Sequence, residues 1–108
     1  FINNFWRYLA FDPALLESTW AEVKRVMATP SGLDPLTKEM IYIAVSVANA
    51  CGYCVHSHTG AARAKGMTAA QHAELLSIVG LAAKTNHLVT ALQVPVDAVF
   101  DQDAAPRS

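Results

Sequence analysis

The sequence has 108 residues, of which 53% are hydrophobic and 16% charged, and its formal net charge is −1. This length suffices for one domain, and the eight Lys and Arg residues are too scattered to form the basic patch that nucleic-acid binding requires. No uninterrupted apolar run reaches the roughly 18 residues of a membrane-spanning helix, and no leader is recognisable, so we expect a cytoplasmic protein without a membrane partner.

In the first half of the chain, two Asp-Pro pairs predict the starts of two helices. Asp12 and Asp34 can each cap a helix whose first residue is the following proline, Pro13 or Pro35. The first of these helices carries an apolar face of Leu15, Leu16, Trp20, Val23, Val26 and Met27. The second is more apolar, so we predict that it lies at the centre of the fold; its facing residues are Leu36, Met40, Ile43, Ala44, Val47 and Ala48.

The second half continues with helical patterns. A helix is predicted from Cys54 to about Lys65, and Gly66 suits a left-handed cap at its end. The segment 68–71, Thr-Ala-Ala-Gln, is a capping box that opens the next helix. A further helix is predicted over residues 81–92, because Gly80 either ends or bends the preceding one.

Short apolar and polar stretches complete the chain. Residues 94–100 predict a last helical turn, and residues 101–108 form a polar tail. Sustained alternation of apolar and polar residues is missing, so we predict an all-α bundle of about five to seven helices in one domain, residues 1–100. The charged share is well below the usual value of about 25%, which indicates that further copies of the chain cover part of the apolar surface.

The stretch 49–58, Asn-Ala-Cys-Gly-Tyr-Cys-Val-His-Ser-His, carries the chemistry. Cys51 and Cys54 stand where one predicted helix stops and the next begins, and a spacing of three allows their sulfurs to meet across one turn. The unpaired N–H groups of a helix start stabilise a thiolate, which is the reactive form of cysteine. The pair is therefore a candidate redox centre.

Two further residues are candidates for proton transfer to these thiols. His58 follows Cys54 by four residues, so both side chains share one helical face, and an imidazole can accept a thiol proton near neutral pH. His56 points away and is the weaker candidate. Glu39 lies on the very apolar central helix, where an acid is either at an exposed edge or buried for a purpose; the residues alone favour the edge.

Other interpretations of the cysteine pair remain open. A zinc site could use Cys51, Cys54 and His58, but it would lack a fourth protein ligand. The pair could also serve a redox-sensing or purely structural oligomer with little turnover. Two inert buried thiols fit less well beside Gly, Tyr, Ser and two His residues.

At these positions the sequence resembles the carboxymuconolactone decarboxylase-like superfamily, in its alkylhydroperoxidase D-like branch. That branch carries Glu, eleven residues, Cys, two residues, Cys, three residues and His, and Glu39, Cys51, Cys54 and His58 fit every interval. The resemblance extends over roughly residues 12–100. One departure is Tyr53, which stands where better-studied relatives often have a second His.

The resemblance implies an all-α fold and reduction of hydroperoxides or disulfides by a dithiol–disulfide cycle without a metal or organic cofactor. It implies that Cys54 attacks the peroxide, that Cys51 then forms the disulfide, and that a buried Glu39 and His58 relay protons. It also implies a homotrimer or homohexamer and a thiol electron donor, which in relatives is in some cases a lipoyl-bearing protein. Tyr53 puts the efficiency of the relay in question.

Overall fold

The computed structural model describes residues 1–101, which contain five α-helices and no strand. The helices are α1 (Asn4–Leu9), α2 (Pro13–Val23), α3 (Pro35–Ala48), α4 (Gly52–Ala64) and α5 (Ala69–Leu92), with a π-helical segment (Lys24–Ala28) and a 3₁₀ turn (Ala98–Phe100). The predicted all-α class is confirmed. Residues 102–108 of the predicted tail lie outside the described residues, and the single-domain boundaries stay a prediction.

The predicted helix starts are confirmed by their capping bonds. The Asp12 carboxylate accepts a hydrogen bond from the Leu15 backbone N–H at 3.2 Å, and Asp34 accepts one from the N–H of Thr37 at 2.8 Å. Each cap is followed by a proline at the first helical position, where the missing N–H costs nothing. These caps fix where α2 and α3 begin.

The predicted separate helix over residues 81–92 is wrong, because α5 runs without a break from Ala69 to Leu92. Its capping box is formed as predicted, with both Thr68–Gln71 hydrogen bonds present at 2.8 and 3.1 Å. A glycine inside a helix costs about 1 kcal/mol relative to alanine. That cost does not stop a helix unless the chain also turns, and Gly80 keeps a negative φ.

The centre of the fold is α3, which packs against α4, α5 and the π-helical segment, as the sequence predicts. The buried hydrophobic side chains of residues 1–101 are Ile43, Ala62, Met67 and Leu75. Three polar side chains are buried with them, namely Glu39 and Ser46 on α3 and Thr59 on α4. The seam between α3 and α4 therefore contains both the hydrophobic core and a buried acid.

Much of α5 is exposed in the single chain. Leu75 is its buried residue, and Ile78 and Leu81 are 60% and 62% exposed. Although no uninterrupted apolar run is long enough to span a bilayer, α5 is long and apolar enough to cross a membrane when judged only by length and average composition. One such helix does not establish a membrane protein, because a core helix of a soluble protein meets the same two criteria.

Candidate active site

The turn between α3 and α4 places the first cysteine. The N–H of Cys51 bonds to the Ser46 carbonyl at 2.9 Å, and the N–H of Ala50 bonds to that of Val47 at 3.0 Å. This pair of bonds is a Schellman motif, which requires a left-handed residue, here Ala50 with φ of 56°. Alanine pays a steric cost there that glycine would avoid. The motif ends α3 and brings Cys51 directly to the start of α4.

Cys51 is the N-cap of α4, which begins at Gly52, two residues before the predicted start at Cys54. The Cys51 sulfur accepts a hydrogen bond from the Cys54 backbone N–H at 3.4 Å. The hydrogen bond that the Cys54 thiol donates to Cys51 lowers the pKa of Cys51, and the backbone N–H lowers it further. The same thiol bond, together with partial burial, raises the pKa of Cys54. Both cysteines are free thiols, and of the two Cys51 more readily carries the negative charge.

The Glu39 carboxylate reaches α4 from the centre of α3. Its Oε1 lies 2.6 Å from His58 Nδ1, and its Oε2 lies 2.8 Å from Lys65 Nζ. Glu39 is only 6% exposed, so the predicted edge position is wrong and the buried acid implied by the family resemblance is present. Burial acts to raise the pKa of Glu39, but the hydrogen bonds from Lys65 and His58 outweigh it and lower the pKa overall.

These contacts define which nitrogen of the His58 ring faces Glu39. A carboxylate only accepts hydrogen bonds, so Nδ1 carries the proton that points to Glu39. In a neutral ring with this tautomer, Nε2 is the nitrogen without a proton and can act as a base. Within residues 1–101, the hydrogen bond of His58 goes to Glu39 and no direct hydrogen bond joins its ring to a sulfur.

Tyr42 stacks on the His58 ring, with centroids 3.7 Å apart and an angle of 22° between the planes. Burial raises the pKa of Tyr42, and the neighbouring thiols and Glu39 raise it further, so Tyr42 borders the same centre. Tyr53, the residue that departs from the pattern of better-studied relatives, contacts α1 instead. Its hydroxyl accepts a hydrogen bond from the Phe5 backbone N–H at 3.1 Å.

Two contacts of this centre were missed by the sequence analysis. Lys65 was considered only as the end of a helix, although it follows His58 by seven residues, which is almost two full turns. That spacing was an available signal that both side chains share a face. The stacking of Tyr42 on His58 joins two helices, and no spacing within one helix predicts it.

His56 and the zinc site considered from the sequence gain no support among the described residues. His56 turns back along α4, where its Nδ1 lies 2.9 Å from the Gly52 carbonyl oxygen, which agrees with its weaker standing. Among residues 1–101, no group of three or more His, Cys, Asp or Glu side chains is arranged to hold a metal ion. The zinc site considered from the sequence therefore gains no support from the geometry.

Fold and site together define a class: an all-helical protein with a dithiol at the start of a helix, beside a buried carboxylate–imidazole pair. The model of the carboxymuconolactone decarboxylase family matches residues 13–97. A crystal structure of the alkylhydroperoxidase AhpD core from Rhodospirillum rubrum superposes with a TM-score of 0.93 at 68% identity, covering 95% of this chain and 76% of that one. The chain belongs to the carboxymuconolactone decarboxylase family, in its AhpD-like branch.

A curated relative supports the same branch. The alkyl hydroperoxide reductase AhpD of Solibacter usitatus is 30% identical over 101 residues, which is 91% of this chain. Those residues are 55% of the relative, so this chain spans about half of its length.

Proposed function

We propose that the chain reduces alkyl hydroperoxides or small disulfides through a dithiol–disulfide cycle at Cys51 and Cys54. One observation carries this proposal. The two cysteines lie together at the start of α4, where the Cys54 backbone N–H donates to the Cys51 sulfur at 3.4 Å, and one turn further along α4 His58 contacts a buried carboxylate. The names of the relatives, alkyl hydroperoxide reductase and alkylhydroperoxidase, agree with peroxide as the substrate class.

The proposed reaction begins when Cys54 loses its proton to Nε2 of His58. The Cys54 thiolate attacks one peroxide oxygen, the O–O bond breaks, and the departing alkoxide takes a proton and leaves as an alcohol. Cys54 is now a sulfenic acid. The sulfur of Cys51 attacks the sulfenic sulfur, water leaves, and the Cys51–Cys54 disulfide forms. An external thiol donor then returns two electrons and two protons.

The roles of the two sulfurs are those that the family resemblance implies, and their surroundings indicate what this assignment requires. In the reduced pair Cys51 is the more acidic thiol, and Cys54 holds the proton that it donates to Cys51. Cys54 can therefore attack the peroxide only after a base has removed that proton. His58 follows Cys54 by four residues on α4, so the two side chains share a helical face, which supports His58 as the base. Conversely, a disulfide substrate would first meet the Cys51 sulfur of the reduced pair, because Cys51 is the more acidic of the two thiols.

We further propose that the working form is a homo-oligomer, a trimer or a hexamer. The chain exposes 8536 Å², whereas a compact monomer of 11.6 kDa exposes about 5,800 Å². Its radius of gyration is 17.4 Å, against about 13 Å for a compact domain of this length. The excess of about 2,700 Å² is in the range that permanent subunit interfaces bury, and exposed α5 supplies a large apolar part of it.

The test measures hydroperoxide consumption by the full chain with a dithiol reductant, which stands in for the lipoyl-type donor. We expect Cys54→Ser to abolish turnover. We expect Cys51→Ser to consume one peroxide per chain and then stop, because the sulfenic acid has no partner; mass spectrometry of the trapped oxidised Cys54 checks this. Turnover by Cys54→Ser at the parent rate would refute the proposal.

The same experiment separates the main alternative function. A redox-sensing or structural oligomer would form the Cys51–Cys54 disulfide reversibly but would show negligible turnover with any dithiol donor. Its signature would be a change in assembly or stability on oxidation. We expect such an effect at this turn, because disulfide formation removes the hydrogen bond that the Cys54 thiol donates to Cys51.

A further inference from the structure

Both carboxylate oxygens of Glu39 are occupied by side chains from α4 and its end. His58 Nδ1 holds Oε1 and Lys65 Nζ holds Oε2, at 2.6 and 2.8 Å. The Glu39 side chain is 7% exposed and the Lys65 side chain 38% exposed. Lys65 therefore joins a surface position to a carboxylate that is almost completely out of water.

We infer that Lys65 is a positioning residue for thiol chemistry: by holding Glu39 as a charged carboxylate, it keeps the His58 proton on Nδ1 and leaves Nε2 free to take the thiol proton. This inference rests on the proposed function, since it concerns the base of that reaction. It adds a third member to the relay that the family motif does not contain.

The physical reason is the charge balance of the seam. A buried carboxylate without a counter-charge tends to take up a proton. The Glu39–His58 pair can bind that proton in two ways, either on the carboxyl group or as an imidazolium on the ring. In the first case the ring can turn into the tautomer protonated on Nε2, and in the second both nitrogens are protonated. Either way Nε2 is no longer a base.

Lys65 opposes both outcomes because its ammonium supplies the missing positive charge without giving up a proton. The titratable groups that face Glu39 are His58 and Lys65, with Tyr42 next to it on α3. Within residues 1–101, α5 and the π-helical segment also pack on α3, but neither gives Glu39 a hydrogen bond or an ion pair. Lys65 is therefore the permanent counter-charge.

The test compares Lys65→Met, Lys65→Arg and a control, Lys84→Met, in the full chain. Lys84→Met removes the same charge from an exposed position on α5. The rate of peroxide reduction is followed between about pH 5 and pH 8, the range in which an imidazole changes its protonation. For Lys65→Met we expect the acid limb of the profile to move to higher pH.

Specifically, the rate of Lys65→Met should fall about tenfold at the acid end and recover to within about twofold of the parent at the alkaline end. Lys65→Arg should restore the profile, because a guanidinium can also pair with a carboxylate, and Lys84→Met should match the parent. A loss that is equal at every pH, or no change at all, overturns the inference.

A second measurement does not depend on peroxide turnover. Nitrogen NMR of the His58 ring in the reduced protein reports which nitrogen carries the proton. We expect Nδ1–H in the parent at neutral pH, and an added proton or the Nε2–H form in Lys65→Met. If the parent shows this pattern but reduces no peroxide, the proposed function fails while the role of Lys65 stands. If the parent ring is protonated on Nε2, the inference is wrong.

Discussion

Replacing Glu39 with glutamine tests the buried pair most directly, because the amide has nearly the same shape but no charge. In the parent, Oε1 accepts the proton of His58 and Oε2 accepts one from Lys65. The glutamine oxygen can face only one of these donors, and its NH₂ group then meets the other. We expect the substitution to lower both the rate of thiol oxidation and the free energy of unfolding.

The loss of stability can be worked out from the two contacts. A hydrogen bond to a charged group contributes about 1.5–3 kcal/mol and a neutral one about 1 kcal/mol, so the His58 contact loses about 1 kcal/mol. The Lys65 contact loses less than about 1 kcal/mol, because that side chain is 38% exposed and can return to water. The two contacts together lose about 1–2 kcal/mol. Because burying an amide is cheaper than burying a carboxylate, the net loss lies at the lower end, about 1 kcal/mol.

The assay is urea unfolding of parent and Glu39→Gln at equal chain concentration, since association would also change the apparent stability. The folded protein lowers the Glu39 pKa from its ordinary 4.5, so this contribution is complete above that pH and is lost as the pH falls below it. The difference should therefore be largest near neutrality and shrink in acid. Glu74→Gln on α5, an exposed acid, is the control and should change stability by less than about 0.5 kcal/mol. A difference that is absent at neutral pH, or that grows in acid, would refute this account.

Two further predictions concern the turn before Cys51 and the ring beside His58. Ala50→Gly should raise the free energy of unfolding by about 1 kcal/mol, because glycine adopts the left-handed conformation without the steric cost of alanine. Gly66→Ala, at the matching position after α4 with φ of 99°, should lower the free energy of unfolding by about the same amount. Urea unfolding checks both, and a change in the same direction for the two variants would contradict the reasoning. Tyr42→Ala should slow peroxide reduction about fivefold, which corresponds to the loss of about 1 kcal/mol of ring stacking on His58. Tyr42→Phe keeps the ring, so its rate should stay close to that of the parent. An equal loss of rate in both variants would show that the hydroxyl group matters and not the stacking.

The parts of the fold that follow from short stretches of sequence were predictable. Asp12 and Asp34 each mark a helix start, because a cap and the proline after it act within three residues. The Thr68 capping box works in the same way. Gly80 shows the limit of such local signals: its effect depends on whether the chain turns there, and the packing of α5 decides that.

The site was predictable only in part, for the same reason. The spacing of Cys51, Cys54 and His58 lies within one helix and its cap, so geometry along the chain was enough to bring them together. The burial of Glu39 depends on how α3 meets α4, and the residues alone favoured the opposite. The family resemblance correctly implied that Glu39 is buried, but it did not include Lys65, which contacts Glu39 across the same α3–α4 interface.

The contacts of Glu39 serve the fold and the reaction at once. Ile43, the fully buried side chain of α3, lies one turn beyond Glu39, so the acid is part of the same packed seam. A loss of activity in a Glu39 variant can therefore arise from a disturbed seam as well as from a lost proton path. At Lys65 the two effects are easier to separate, because the Lys65 ammonium is partly exposed and can return to water, while the buried carboxylate that loses its counter-charge can take up a proton instead. We therefore expect Lys65 variants to show a shifted pH dependence with a loss of stability that varies with pH in the same way, which makes Lys65 the better position for testing how this thiol pair is activated.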